Sequence, residues 1–203
     1  MKAITSALLI FAVLFASSVE AQQTVNGCLL KRKTSCPGVN LSGADLTKSN
    51  LAGADLSGAN LSGANLSGDR ISEANLIKAN LSSANLSWAT LSETYMTGAN
   101  LSHANLTKAN LSQSSLPGAN LVEANLAGSD FSLANLKGAD LTGANAKGAA
   151  FIMSLLANAN LTRVDLTEAD LTGTDLSSAV LDGAKFCRTT MPDKSMNNSG
   201  CTK

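Results

Sequence analysis

The sequence predicts an all-β solenoid, a chain wound into a stack of short coils, on three observations. From Val39 to Phe186 a five-residue unit of the form Ala-Asn/Asp-Leu-Ser/Thr-x repeats without a break in register. Its centre, starting at Leu41 and stepping by five, is almost always Leu, with Ile71, Met96, Phe131, Phe151, Phe186 and the small Ala146 as the departures. The position two before the centre is nearly always tiny, as at Ala44, Ala54, Ala59, Ala64, Ala104 and Ala124, with an occasional Ser49, Thr94 or Val164.

A period of five fits neither element carried on straight, because helices repeat their apolar positions near 3.6 residues and strands near 2. The chain must therefore change direction once per unit. In extended backbone the centre and the residue two before it share a face, and a turn in every unit returns the next centre to the same interior. Gly two after the centre (Gly43, Gly53, Gly58, Gly63, Gly68, Gly98, Gly118) suits a corner that requires positive φ. Leu, Phe and Ala then line the inside while Asn, Ser and Thr face out. One coil buries little, so stability comes from stacking on neighbours.

The run ADLSGANLSGANLSG from Ala54 to Gly68 resembles the pentapeptide-repeat family. That resemblance implies a right-handed quadrilateral β-helix with four repeats per coil, hence about seven to eight coils, with residues 20 apart stacked. On that rule one outer column reads Asn40, Asn60, Asn80, Asn100, Asn120, Asp140, Asn160, and a second Asp45, Asn65, Asn85, Asn105, Asn125, Asn145, Asp165. Such side chains are expected to bond turn backbone and one another along the ladder. Phe131 would stack under Phe151.

Taken in order, residues 1–21 read as a secretory signal peptide: Lys2, an apolar run from Ala7 to Phe15, then Val19-Glu20-Ala21 before the expected cut. The apolar run is too short to span a bilayer as a mature helix, and no later stretch qualifies. Residues 22–38 form an N-terminal cap with Cys28 and Cys36, residues 39–188 the coil body, and residues 189–203 a C-terminal cap and tail containing Cys201. Four Cys allow three pairings. The coil body separates Cys28 and Cys36 from Cys187 and Cys201, so pairing within each end is the short-range scheme, each bond contributing about 2.5 to 3 kcal/mol. An even Cys count agrees with an export signal. Both flanks are similar to end segments of exported members of the family. Leu29 and Leu30 at one end, and Met191 with Pro192 at the other, are placed to cover the open edges of the coil.

No constellation for catalysis is visible. Ser and Asp are plentiful but fall in solvent-facing columns, His103 stands alone at a corner, and the glycines lead into no helix that could cradle phosphate. A Leu-filled coil offers no interior pocket. No enzyme activity, cofactor or metal is expected. Positive and negative side chains balance at 15 each, which suits neither a basic nucleic-acid binder nor an acidic nucleic-acid mimic.

The candidate contact residues are outward positions that break the polar rule. Leu133 and Met153 share a corner column, with Ile152 beside Met153 and Leu155 following; Trp88 and Tyr95 are the aromatic exceptions, with Ile77 nearby. Charge gathers at Lys31-Arg32-Lys33 and at Asp165, Glu168, Asp170, Asp175 and Asp182, read as solvated surface. The leading expectation is an exported, non-catalytic structural or protein-interaction rod, periplasmic or secreted, or lumenal in a photosynthetic source. Its expected partner is a protein or envelope component, with end-to-end dimerisation as the mode of self-association. Two alternatives stand beside it. The resemblance implies a DNA-mimicking binder of type II topoisomerase, and the column Ser42, Ser62, Ser82, Ser102, interrupted at Val122, offers a hydroxyl array for glycan or ice.

Overall fold

A computed structural model describes residues 23–201; the signal-peptide reading of residues 1–21 lies outside them. The repeats wind into a right-handed quadrilateral β-helix, and the described residues contain no helix. Parallel bridges join the units to those 20 residues on, from Ser35↔Asp55 at the start to Asp170↔Thr190 at the end, except between residues 50 and 70. Four sides result. Side one holds the centres from Leu41 through Leu61 to Leu181, side two Leu46 to Phe186, side three Leu51 to Met191, and side four Leu56 to Leu176.

One local geometry explains each position of the unit. The amide three after the centre donates to the centre's carbonyl, as in Ala54 N–H to Leu51 O at 2.9 Å, which closes a four-residue turn. The third residue of that turn has positive φ throughout, from Gly43 at 64° to Arg188 at 53°. This is the φ pattern of a type II turn, where Gly is strain-free and other residues cost about 1–2 kcal/mol. The residue before the centre is most often Asn or Asp because its side-chain oxygen accepts the amide two residues on, as in Ser42 N–H to Asn40 Oδ1 at 3.2 Å. Its amide nitrogen is then free to reach the coil below: Asn60 Nδ2 donates to Asn40 Oδ1 at 3.2 Å and Asn105 Nδ2 to Asn85 Oδ1 at 3.2 Å.

Inside, the Leu and Ala positions form one continuous core with almost no exposure. Phe131 and Phe151 stack at 5.2 Å, 8° from parallel, and Ala146 sits one unit before Phe151, a small centre next to a large one. At several inner positions where Ala becomes Ser or Thr, the hydroxyl donates to the carbonyl three residues back, as Thr94 Oγ1 does to Leu91 O at 2.7 Å, whereas Thr174 Oγ1 bonds Phe151 O and Ser154 Oγ is buried without a partner.

Each end is closed by a two-stranded antiparallel ribbon and a disulfide. At the start, β1 (Thr24–Val25) pairs with β2 (Cys28–Leu29) across Asn26 and Gly27, both at positive φ as a tight hairpin turn requires. Cys28 bonds Cys36 and Leu30 is buried. At the other end β3 (Thr189–Thr190) pairs with β4 (Met196–Asn197), and Cys187 bonds Cys201. Gly200 lies so close to Phe186 that a Cβ there would sit 2.9 Å from the Phe186 nitrogen. Leu176, Leu181, Phe186 and Met191 pack against the core but keep partial exposure. The C-terminal layer is less fully covered than the N-terminal one.

Candidate functional surface

The structure sorts the outward apolar residues by side. Leu133 (56% exposed) and Met153 (61%) stand on the corner between sides three and four, with half-buried Ile152 beside Met153. Leu155 follows on side four itself, bridged to Asn135 and Asp175. Tyr95 (55% exposed) lies on the same side, bridged to Asn75 and Ser115, three coils or about 14 Å from Leu155. Exposed Ile77 also flanks this side. Lys137 is the one formal charge on side four between the levels of Tyr95 and Leu155, among the described residues. Gly98, Pro117, Gly118, Gly138 and Ala157 share the side with the neutral polar Thr97, Ser115, Asn135 and Asn158.

Trp88 does not join this group. It occupies the corner between sides two and three, across side three from Tyr95. Its ring also has an internal partner, Lys108 Nζ, 4.4 Å from the centroid, a cation–π contact. The two aromatics paired in the sequence reading are therefore separate features.

Sides one and two look different. There the Asn/Asp positions are tied to turn amides and to each other, so their polar groups are committed to the scaffold. His103 Nδ1 lies 3.4 Å from Glu123 Oε2, both exposed. The acidic cluster near the end is partly paired: Lys147 and Lys185 reach Asp165 at 3.4 and 3.6 Å, and Arg188 bonds Glu168. Burial raises the pKa of Asp165, but the O–H and N–H of Thr167 and the charge of Lys147 outweigh it and hold the carboxyl below its usual value. Among the described residues no three His, Cys, Asp or Glu side chains are grouped to hold a metal, and no helix is long and apolar enough to cross a membrane.

One feature of the surface escaped the sequence reading. At Asp69 the inner position that is otherwise small carries a carboxylate, buried at 3% exposure. Its neighbour Arg70 and the facing Asn50 are where the ladder on side three is interrupted, since no bridge joins residues 50 and 70. The signal was present as Gly68-Asp69-Arg70-Ile71, the repeat in which Ala gives way to a charged residue.

Comparison with known proteins agrees with this geometry. The family model for pentapeptide repeats matches eight copies, spanning residues 34–152 and 154–191. Among solved structures, HetL from the cyanobacterium Nostoc, a pentapeptide repeat protein involved in heterocyst differentiation regulation, is 29% identical over 81% of this chain and 90% of its own, with TM-score 0.43. A pentapeptide repeat protein of the Arabidopsis thaliana thylakoid lumen is 32% identical over 58% of this chain and 68% of its own, with TM-score 0.36. QnrB1, a plasmid-mediated fluoroquinolone resistance protein, is 19% identical over 72% of this chain and 91% of its own, with TM-score 0.47. No curated protein matches the chain significantly. With the family model covering well over half of the sequence and every unit built to the same turn, the chain belongs to the pentapeptide-repeat family.

Proposed function

We propose that the chain is an exported, non-catalytic interaction rod that docks a protein partner on its fourth side. One observation carries the reading: Tyr95, Leu133, Met153 and Leu155 gather on side four and its leading corner, with Ile152 beside them, while the opposite side keeps a hydrogen-bonded Asn/Asp ladder. Exposed apolar groups of this size on one face of a polar scaffold are the pattern of a contact surface, and Tyr is enriched among residues that dominate binding energy. The rigid coil supplies the rest. It presents these side chains at fixed spacing, so little conformational freedom is lost on docking.

Export rests on the N-terminal segment of the sequence and on the two end disulfides, which suit an oxidising compartment. Zero formal net charge weighs against imitation of duplex DNA. Site-specific photo-crosslinking in the native cell tests the docking side. Probes at residues 95, 133 and 155 are expected to yield the same adduct, whereas probes at 65 and 105 on side two yield none. Equal adducts from both sides, or adducts from side two only, would contradict the proposal.

A further inference from the structure

The interruption on side three has the makings of a small-anion site. Elsewhere along the coil body each level gives two backbone bonds to the next, as in Asn65 N–H to Ala44 O at 2.9 Å and Leu46 N–H to Asn65 O at 2.8 Å. At the first level of side three both are missing: the amides of Arg70 and Leu51 donate to no protein group, and the Lys48 amide also lacks the bond that Gly43 and Gly53 make at the equivalent position. Asp69 accounts for the opening. Its Oδ1 accepts the Asn50 amide at 2.9 Å and its Oδ2 the Ser49 hydroxyl at 2.8 Å. Asn50 is thereby drawn inward and held at φ 52°, although every other ladder Asn of the coil body has φ below zero.

The opening leaves a recess of about 250 Å³ lined by Arg32, Asn50, Ala52, Arg70, Ser72 and Thr90. Arg32 and Arg70 form no ion pair among the described residues. The Thr90 hydroxyl and the Asn50 carboxamide make no hydrogen bond there, and Asn50 Oδ1 is buried without a donor. Two guanidiniums without an ion pair, the free Thr90 hydroxyl, the Asn50 side-chain N–H groups and the unbonded Arg70 amide are donors around one recess; Asn50 Oδ1 is an acceptor and contributes nothing to holding an anion. The Asp69 carboxylate is buried and already accepts from Ser49 and Asn50. Paired guanidiniums match the tetrahedral, multiply charged oxyanions better than they match a neutral ligand, and unsatisfied backbone amides add to an anion-binding concavity.

We propose that this recess binds a small oxyanion of the phosphate or sulfate class, held between Arg32 of the N-terminal cap and Arg70 of the coil. The site lies on side three near the start of the rod, away from Tyr95, Leu133 and Leu155, and does not depend on the docking surface. Bound there, the anion would tie Arg32 of the cap to Arg70 across the level where the ladder between residues 50 and 70 is missing.

Titration calorimetry of the disulfide-intact chain in a low-salt, oxyanion-free buffer tests this with inorganic phosphate and sulfate. The expected result is saturable binding of one ion, weakened about tenfold or more by Arg32→Gln or Arg70→Gln and unchanged by Arg188→Gln at the far end. Asp69→Ala separates a built site from a diffuse basic patch. Removing a negative charge strengthens binding to a patch, whereas letting the Asn50 ladder re-form closes the recess and weakens it. Phenyl phosphate binding as tightly as phosphate would assign the site to an anionic group carried on a larger molecule, and binding of the free ions alone to a dissolved anion. No saturation below about 1 mM, equal loss in Arg188→Gln, or stronger binding in Asp69→Ala would overturn the proposal; melting temperature confirms that each variant is folded.

Discussion

A single turn, repeated, decides what each residue is for. Its third position adopts positive φ whether it holds Gly63, Lys108, Trp88 or Leu133, so glycine there relieves strain but does not dictate the turn. What dictates it is the pair of inward positions and the Asn or Asp that takes up the turn amide. Ala104 is fully buried while Lys108 is exposed at a corner. Ala104→Leu is therefore expected to cost about 1–3 kcal/mol or more by overfilling the interior, and Lys108→Leu under about 1 kcal/mol, chiefly the lost contact with Trp88; paired thermal melts compare them. Equal losses would reverse the assignment of inside and outside. Asp165 adds a pH dependence. Its folded pKa lies below the ordinary 3.8, so its contribution is fully present above that value and fades as pH falls through the lower folded value. The melting-temperature gap between the wild type and Asp165→Asn should be widest near neutrality and shrink as pH drops below about 4. A gap independent of pH would show that the carboxylate's charge is not what stabilises.

At the scale of elements, the coil was legible and its flaw was not. A strict period with Leu at the centre leaves little choice of backbone, because every unit must turn and every turn must stack. The disulfide partners were legible for a similar reason: the coil body keeps the two ends apart, and the bonds Cys28–Cys36 and Cys187–Cys201 form as local closures. The opening at Asn50 was harder to foresee. It follows from one buried carboxylate recruiting a backbone amide and a hydroxyl from the level below, a contact between residues 19 and 20 apart that no local pattern announces. The caps carry a separate prediction. Cys187→Ser with Cys201→Ser should cost about 3 kcal/mol for a closed loop of this size, and hydrogen exchange should speed up in β3, β4 and the last coil while the coils around Leu101 stay protected, since solenoid units couple chiefly to neighbours. Uniform loss of protection would contradict that local coupling.

On the scale of the whole molecule, the four sides differ in how far their outward groups are committed to the scaffold. Sides one and two spend theirs on Asn/Asp ladders, side three holds the opening near the cap, and side four carries Tyr95 and Leu155 with Leu133 and Met153 on its edge. Residue type and repeat position marked these four as exceptions. The 20-residue stacking already grouped Leu133, Met153 and Leu155 in the sequence; the structure puts Tyr95 on the same side and Trp88 on a different corner. Intact mass measured on the native protein in each cell fraction, with and without reduction before alkylation, is the most direct test of the proposed exported rod sealed by disulfides. The expected result is a chain beginning at Gln22, found outside the cytosol, with four cysteines alkylated only after reduction. An unprocessed cytosolic chain with four free thiols would contradict it.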